Sequence, residues 1–285
     1  MPCHRLSSRA LQEFVSTFRL TRDLTVGPST AKLYYTARNY LAGKIPGELV
    51  IAVDKWPDYT AVMCASGKET YKFMQDIETY TLYWENKDAL LKLLRDDKLV
   101  DWDKNFTIAA FSEKGLPVLS HVCREKGKPV PQQDNLVQVH TAFHPNVLPV
   151  PATDRSPDSS VTLGRLGPEH AELVNRAWSW GGPPEVLEFI RYVLATFPSK
   201  CAYNKQGETL AFTVLQPWGE YGMTRAMAPG RYGTFVVNSM INEVLKTGDL
   251  PYCFVERNNE KARKIVDEEL DPKWDPSGSC FYVSL

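Results

Sequence analysis

A glycine-rich turn near residue 230 stands between a predicted strand and a predicted helix. The turn reads Pro229-Gly230-Arg231-Tyr232-Gly233, the strand covers residues 220–228, and Thr234 is expected to cap the helix that follows. The first N–H groups of a helix have no partner inside the helix, and the helix dipole makes that end positive. Glycines let a ligand come close to the backbone. Taken alone, the segment fits an ordinary glycine-rich entry to a helix, and it also fits a site for an anion such as a phosphate.

Other residues with chemical potential form weaker patterns. His121 and Cys123 would suit a thiol nucleophile with a neighbouring base, but the sequence shows no third group to orient them. The cysteines never occur as C-x-x-C, which argues against a structural zinc site and against a dense disulfide framework. We therefore predict no metal, and reduced, mostly buried thiols at Cys3, Cys64, Cys123, Cys201, Cys253 and Cys280.

The elements that must position the glycine-rich turn follow one another closely in the second half of the chain. Hydrophobic periodicity and turn residues predict the order β-α-α-β-β-β-loop-α-β-α-β from residue 160 onward. The predicted strands are 160–166, 201–203, 209–216, 220–228, 251–255 and 280–283, and the predicted helices are 168–177, 184–197, 234–245 and 259–268.

The first half of the chain gives a less complete pattern. We predict a helix over 7–20, strands over 32–37, 49–53, 60–64 and 80–84, and a helix over 88–94. Residues 145–160 hold four prolines among Ser, Thr and Asp without apolar periodicity, which is typical of a linker. We therefore predict two domains, residues 1–155 and residues 156–285, with the boundary near residue 156.

Composition narrows the class of protein. The 285 residues are 43% hydrophobic and 24% charged, which is ordinary globular composition. Their apolar runs are too short for a membrane span. A net charge of −1, with neither half strongly basic, excludes a nucleic-acid binder that depends on counterion release. A soluble protein with a small-molecule or protein partner remains.

The N-terminus allows two interpretations. Arg5, Arg9, Arg19 and Arg22, with nearby serines, are faintly like a mitochondrial presequence. The apolar spacing of Leu11, Phe14, Val15 and Phe18 also suits a first structural helix, and we favour that reading.

The element order of the second half resembles the GNAT superfamily of acyl-CoA N-acyltransferases. In that superfamily a loop between the fourth strand and the third helix binds the CoA pyrophosphate. The glycine-rich turn occupies the same place here, although Arg231 precedes Gly233 by two positions where the superfamily pattern has three.

Several segments resemble the glycine N-acyltransferase family in particular. They occur in the family's order along nearly the whole chain: residues 52–59 (AVDKWPDY), residues 170–178 (HAELVNRAW), Gly181-Gly182, Thr196-Phe197-Pro198, Gly219-Glu220, Pro229 and Asn259-Glu260. The resemblance implies an α/β (α+β) fold with a GNAT acyltransferase fold in the C-terminal part. By the same resemblance, the N-terminal α/β domain is a candidate for a second half of the molecule that is related to the C-terminal one.

The resemblance also implies roles for individual residues. Glu220 matches the glutamate regarded as the catalytic base of the family, which would deprotonate the incoming amine. The backbone of Met227 and Ala228 would pair with pantetheine and polarise the thioester. The residues expected to bind the rest of the CoA are Gly230, Arg231, Tyr232, Gly233, Thr234, Phe235 and Asn259. No acid for the leaving thiolate is evident, since Ile265 and Val266 occupy the region where many GNAT enzymes have a tyrosine.

The implied function is transfer of an acyl group from acyl-CoA to the amino group of glycine, with release of CoA. Acyl-CoA is then a co-substrate, no cofactor is bound permanently, and neither nucleic acid nor membrane is a partner. The alternatives are glutamine as acceptor, a longer-chain donor, or a degenerate CoA-binding module without turnover. The family implies a mitochondrial location, with the cytoplasm as the alternative. The acyl chain and the oligomeric state stay open.

Overall fold

The computed structural model describes residues 3–17, 28–66, 78–144, 159–269, 273–274 and 280–285. The chain forms two compact units, Met1–His140 together with Asp275–Leu285, and Thr141–Trp274. Residues 145–158 of the proline-rich segment and the boundary near residue 156 lie outside the described residues, as do Phe18, Arg19 and Arg22, so the two-domain boundary stays a prediction.

The first unit is a mixed sheet with helices on both faces. Its strands are β1 His4–Arg5, β2 Leu49–Val53, β3 Ala61–Ser66, β4 Glu78–Trp84, β5 Phe106–Ser112, β6 Val137–Phe143, which continues into the second unit, and β13 Cys280–Ser284. Its helices are α1 Ser8–Thr17, α2 Pro28–Leu41, α3 Lys87–Arg95 and α4 Leu116–Glu125. The sheet order is β1-β2-β3-β4-β5-β13-β6, antiparallel except for the parallel pair β4 and β5.

The predicted strand over residues 32–37 is wrong, because this segment lies inside helix α2. Leu33 and Ala37 are buried together against β2 and β3, with Tyr40 and Leu41 partly buried beside them. These four positions follow the i, i+4, i+7, i+8 spacing of a helix face. The adjacent tyrosines had favoured a strand, but packing against the sheet decides the outcome.

The family-like segment 52–59 forms a turn built around a buried carboxylate. Asp54 is 6% exposed and accepts hydrogen bonds from Thr60 N at 2.7 Å, Ala61 N at 2.8 Å and Thr60 Oγ1 at 2.9 Å. Burial by itself would raise the pKa of the Asp54 carboxyl, but these hydrogen bonds outweigh burial and hold the pKa below its ordinary value of 3.8. The stacked rings of Trp56 and Tyr59 cover the turn. The segment therefore has a structural role in the first unit.

Asp54→Asn should lower the free energy of unfolding by about 1–2 kcal/mol at neutral pH, because hydrogen bonds to a charged acceptor are the stronger ones. A lowered native pKa stabilises the fold above the unfolded-state value of about 3.9, and this stabilisation is lost as the pH falls through the native pKa. The difference from wild type should therefore shrink below about pH 4. Urea denaturation at a series of pH values measures this difference in the free energy of unfolding. The control Asp58→Asn changes an exposed residue of the same turn, and an equal loss in both variants would contradict the account.

The second unit combines a four-stranded antiparallel sheet with two strands that each pair with β6. Its strands are β7 Thr162–Gly164, β8 Ser199–Tyr203, β9 Thr209–Leu215, β10 Tyr221–Ala226, β11 Tyr252–Glu256 and β12 Lys273–Trp274. Its helices are α5 Ala171–Ala177, α6 Pro184–Thr196, α7 Tyr232–Lys246 and α8 Glu260–Glu269. Strands β10, β9, β8 and β7 lie side by side in that order, whereas β11 and β12 pair with β6. Helix α7 packs on β8, β9 and β10.

The last strand takes a place that the sequence did not indicate. Residues 280–283 form a strand as predicted, but β13 pairs with β5 and β6 in the first unit rather than closing the second domain. Phe281 and Val283 of β13 are fully buried in the core of that unit. The alternation of apolar residues marks a strand without marking its partner.

Two findings concern the whole described chain. Among the described residues, no helix is both long enough and apolar enough to cross a membrane. Five of the six cysteines are buried and Cys3 is partly exposed, which confirms the prediction of mostly buried thiols.

Candidate active site

Two strand edges meet in the second unit without pairing. Strand β10 is the edge strand of its sheet, and β11 belongs to the other sheet, although the two strands touch. A bulge interrupts the pairing of β10 with β9 between Gly222 and Arg225, and Met223 has a φ of 51° there. Bulges redirect a strand and often lie beside active sites. The edge of β10 is thus a place where an extended ligand can lie along the backbone.

Glu220, the predicted base, immediately precedes β10. It flanks a three-residue hairpin loop opposite Gln216, whose N–H donates to the Glu220 carbonyl at 2.8 Å. Gly219 closes the loop with a φ of 87°, a conformation that favours glycine. The Gln216 side-chain amide donates to Glu220 Oε1 at 2.9 Å, and Glu220 is only 6% exposed. The hairpin therefore holds a buried carboxylate at the start of the edge strand.

The tip of this hairpin is tied to two neighbouring elements. The Trp218 ring stacks on Phe189 of α6, with centroids 5.9 Å apart. The Tyr252 hydroxyl of β11 donates to the Trp218 carbonyl at 2.6 Å. These contacts fix the position of the carboxylate relative to β11.

Buried titratable groups surround the start of β10. The Tyr221 hydroxyl lies 2.7 Å from His144 Nε2 and also contacts the Cys253 thiol. Burial raises the pKa of Cys253 to about 12, and the nearby Glu220 charge adds to the increase. Burial likewise raises the pKa of Tyr221 well above its ordinary value. Both groups are therefore neutral at physiological pH, so neither competes with Glu220 as a base.

The N-terminus of α7 has the features expected of an anion site. The first bond inside the helix runs from Phe235 N to Arg231 O at 3.0 Å, so the N–H groups of Tyr232, Gly233 and Thr234 precede it. Arg231 occupies the N-cap position without a side-chain capping bond. Gly230 has a φ of 126°. A positive dipole end, an arginine and a glycine turn meet here.

The N-terminus of helix α3 in the first unit differs from that of α7. Its N-cap Asn86 accepts a hydrogen bond from Ala89 N at 3.0 Å, and Asp88 adds a negative charge in the first turn. These features satisfy the helix end internally and disfavour an anion. Of these two helix ends, only that of α7 is suited to a phosphate.

Comparison with known proteins assigns the chain to a family. The family model for aralkyl acyl-CoA:amino acid N-acyltransferases matches residues 26–198, which is more than half of the chain. The chain belongs to the aralkyl acyl-CoA:amino acid N-acyltransferase family. The family model includes the Asp54 turn and helix α6, and the relatives below extend the similarity across most of the chain.

Individual relatives are distant but similar over most of their length. The chain is 24% identical to bovine glycine N-acyltransferase over 254 residues, covering 84% of this chain and 86% of that one. It is 24% identical to bovine glycine N-phenylacetyltransferase, covering 85% of each. It is 26% identical to the mouse glycine N-acyltransferase-like protein Keg1 over 278 residues, covering 91% and 92%.

Solved structures confirm the predicted GNAT fold. A Drosophila protein superposes with a TM-score of 0.75 at 13% identity, covering 99% of this chain and 98% of that one. A tandem GNAT protein from the clavulanic acid biosynthesis pathway superposes with a TM-score of 0.55 at 11% identity, covering 99% and 97%. The fold therefore covers the whole chain of this N-acyltransferase family member.

Within this family member, part of the predicted CoA loop differs from expectation. Helix α7 begins at Tyr232, so Thr234 lies inside its first turn instead of capping it. The N–H group of Phe235 is used within the helix, and its side chain is buried with Ala202 and Ala211. Gly230 to Thr234 lie together at the helix end.

The other predicted ligand residues already have partners. The N–H groups of Met227 and Ala228 both donate to the Leu210 carbonyl, at 2.8 and 3.2 Å. Pairing with pantetheine through these two N–H groups would have to replace those bonds. Asn259 Oδ1 accepts from Ala262 N at 3.1 Å and so caps α8. A CoA-binding role for these three residues stays a prediction.

Sequence reasoning missed the residues that hold Glu220, the predicted base. Gln216, Trp218 and Tyr252 fix Glu220 through hydrogen bonds and stacking. One signal was available in the sequence Gln216-Pro217-Trp218-Gly219-Glu220. A glycine at the last position of a three-residue loop, here Gly219, is typical of a tight hairpin that places the residues before and after the loop opposite each other. The contact to Tyr252 joins residues 34 positions apart and had no local signal.

Proposed function

We propose that this protein transfers an acyl group from acyl-CoA to the amino group of glycine. The observation that carries the proposal is a buried carboxylate, Glu220, held at the start of an edge strand that is followed by the N-terminus of α7, the predicted phosphate site. The names of the relatives, glycine N-acyltransferase and glycine N-phenylacetyltransferase, support the choice of acceptor.

The spacing of the two parts of the site fits an acyl-CoA substrate. Glu220 precedes β10, and α7 begins shortly after β10 ends. A strand of this length spans roughly 20 Å at about 3.3 Å per residue. CoA carries its phosphates and its thioester at opposite ends of a long extended arm. The arm can therefore lie along β10, with phosphate at the α7 terminus and the thioester near Glu220.

The chemistry needs one proton to be removed before the acyl group moves. Glycine arrives as an ammonium ion, and the Glu220 carboxylate takes a proton from its nitrogen. The freed amine attacks the thioester carbonyl carbon, so that the C–N bond forms and the C–S bond then breaks. As the C–S bond breaks, the attacking nitrogen gives up its second proton to solvent. The sulfur leaves as the CoA thiolate, which takes a proton from solvent. The products are an N-acylglycine and CoA.

A panel of substrates tests the proposal. Aromatic, short-chain and long-chain acyl-CoA donors are each incubated with glycine, glutamine or another amino acid, and CoA thiol release is followed. We expect release that depends on glycine, fastest with an aromatic or a short- to medium-chain donor. Faster release with glutamine would overturn the choice of acceptor. Binding of acyl-CoA without release under any condition would indicate a CoA-binding module.

A further inference from the structure

The second unit contains two hairpins with the same loop design. One joins β8 to β9 through residues 205–207, and the other joins β9 to β10 through residues 217–219. In each, the residue before the loop donates its N–H to the carbonyl of the residue after it, at 3.0 Å for Asn204 and Glu208 and 2.8 Å for Gln216 and Glu220. Each loop ends in a glycine with positive φ, 80° and 87°.

The same side-chain pair crosses both loops. Asn204 Nδ2 donates to Glu208 Oε2 at 2.7 Å, and Gln216 Nε2 donates to Glu220 Oε1 at 2.9 Å. The environments differ: Glu208 is exposed, whereas Gln216 and Glu220 are 5% and 6% exposed. Loops normally lie at the surface, and burying a carboxylate is costly. The hairpin at Asn204 and Glu208 shows that this turn forms with an exposed side-chain pair. Turn formation therefore does not explain why the pair of Gln216 and Glu220 is buried.

We propose that Gln216 is a positioning residue that orients the Glu220 carboxylate and keeps it in its basic, charged form. The proposal rests on the function proposed above, with Glu220 as the base. An amide N–H donated to a carboxylate favours the charged form over the protonated form. The bond also fixes one oxygen, and so limits the rotation of the carboxyl group.

The neighbouring glycine supports this assignment. A Cβ added to Gly222 would lie 2.6 Å from Gln216 Nε2, which is too close for any side chain. The absence of a side chain at position 222 thus leaves room for the amide in the orientation that reaches Glu220. A Gly222→Ala variant would displace the flexible amide end while keeping both Gln216 and Glu220.

Other titratable groups face the same region and must be distinguished from Glu220. They are Tyr221 on the same strand, Cys253 and Tyr252 on β11, and His144 at the end of β6. Burial raises the pKa of Cys253 to about 12 and the pKa of Tyr221 well above its ordinary value, so these two do not titrate on the acidic side of a pH–rate profile. The His144 imidazole also faces this region, and a Glu220→Gln background separates its contribution from that of Glu220.

The test is a pH–rate profile of Gln216→Met, a change that keeps the length of the side chain and removes the donor. We expect kcat near neutral pH to fall about 10-fold and the acidic limb to move up by about one pH unit, as loss of a hydrogen bond to a charged group requires. The KM for acyl-CoA should stay unchanged. The matched control Asn204→Leu breaks the exposed pair and should leave the limb in place.

Gly222→Ala provides a second route that does not depend on how Gln216→Met folds. It should move the acidic limb in the same direction. In a Glu220→Gln background, Gln216→Met should cause no further movement of the limb.

The outcomes separate this inference from the proposed function. An unmoved acidic limb in both Gln216→Met and Gly222→Ala would overturn the positioning role, even if Glu220→Gln is inactive. An equal loss of rate at every pH would also overturn it, because that result indicates a structural role alone. Full activity of Glu220→Gln would instead overturn Glu220 as the base.

Discussion

Glu220→Gln should lower kcat near neutral pH by ~10²–10⁴-fold, the usual contribution of a general base. The substitution keeps the shape of the side chain and the hydrogen bond from Gln216, so the fold should be unchanged. The defect should shrink as the pH rises, because more of the amine is then neutral without help from the enzyme. Steady-state kinetics across pH, with a fixed acyl-CoA donor and glycine, measures it.

The chain offers a matched control for this experiment. Glu208→Gln makes the same change in the exposed hairpin of the same unit and should leave kcat unchanged. Acyl-CoA affinity should also stay constant in Glu220→Gln, since the carboxylate serves the acceptor. Turnover close to wild type in a folded Glu220→Gln enzyme would contradict Glu220 as the base. A loss equally deep at every pH would indicate positioning of the acceptor instead.

Arg231→Asp should raise the KM for acyl-CoA about 10- to 100-fold, because it replaces a positive charge by a negative one at the predicted phosphate site. The thermal stabilisation given by free CoA should disappear, since that stabilisation scales with affinity. The stability without ligand should be retained, because an acidic residue is favourable at a helix N-terminus. Thermal unfolding with and without CoA measures both effects.

Lys205→Asp is the control for the charge change. Lys205 is exposed in the hairpin between β8 and β9, and its reversal alters the net charge equally. CoA should stabilise this variant as it does wild type. If CoA stabilises Arg231→Asp to the same extent, the α7 terminus is not the phosphate site.

Local patterns predicted most elements of the second unit. Helix α6 follows the apolar spacing of Val186, Phe189, Ile190 and Val193, which are all buried. In the first unit, no element was predicted over residues 95–145, where β5, α4 and β6 form. These strands lie in the interior of the sheet and pair with the last strand of the chain, β13. Pairing between distant segments is not encoded in local periodicity, so the sequence alone could not reveal it.

In the candidate site, too, features set by neighbouring residues could be predicted, whereas features set by contacts between distant segments could not. The turn at Gly230 and the carboxylate at Glu220 could be proposed as site residues from the sequence, because a loop followed by a helix and a family-like motif each lie within a few residues. The bulge at Met223 and the bond from Tyr252 to the hairpin tip depend on how strands meet in space. The start of α7 differed by two residues, since cap positions depend on backbone geometry that residue type only biases.

The most direct test of the account is the stoichiometry of the reaction with glycine. Wild-type enzyme is incubated with an aromatic acyl-CoA at neutral pH, and CoA thiol and N-acylglycine are quantified together with and without glycine. The account predicts that the two products form in equal amounts, that both require glycine, and that Glu220→Gln suppresses both. Thiol release that proceeds without glycine, or without N-acylglycine, would contradict it.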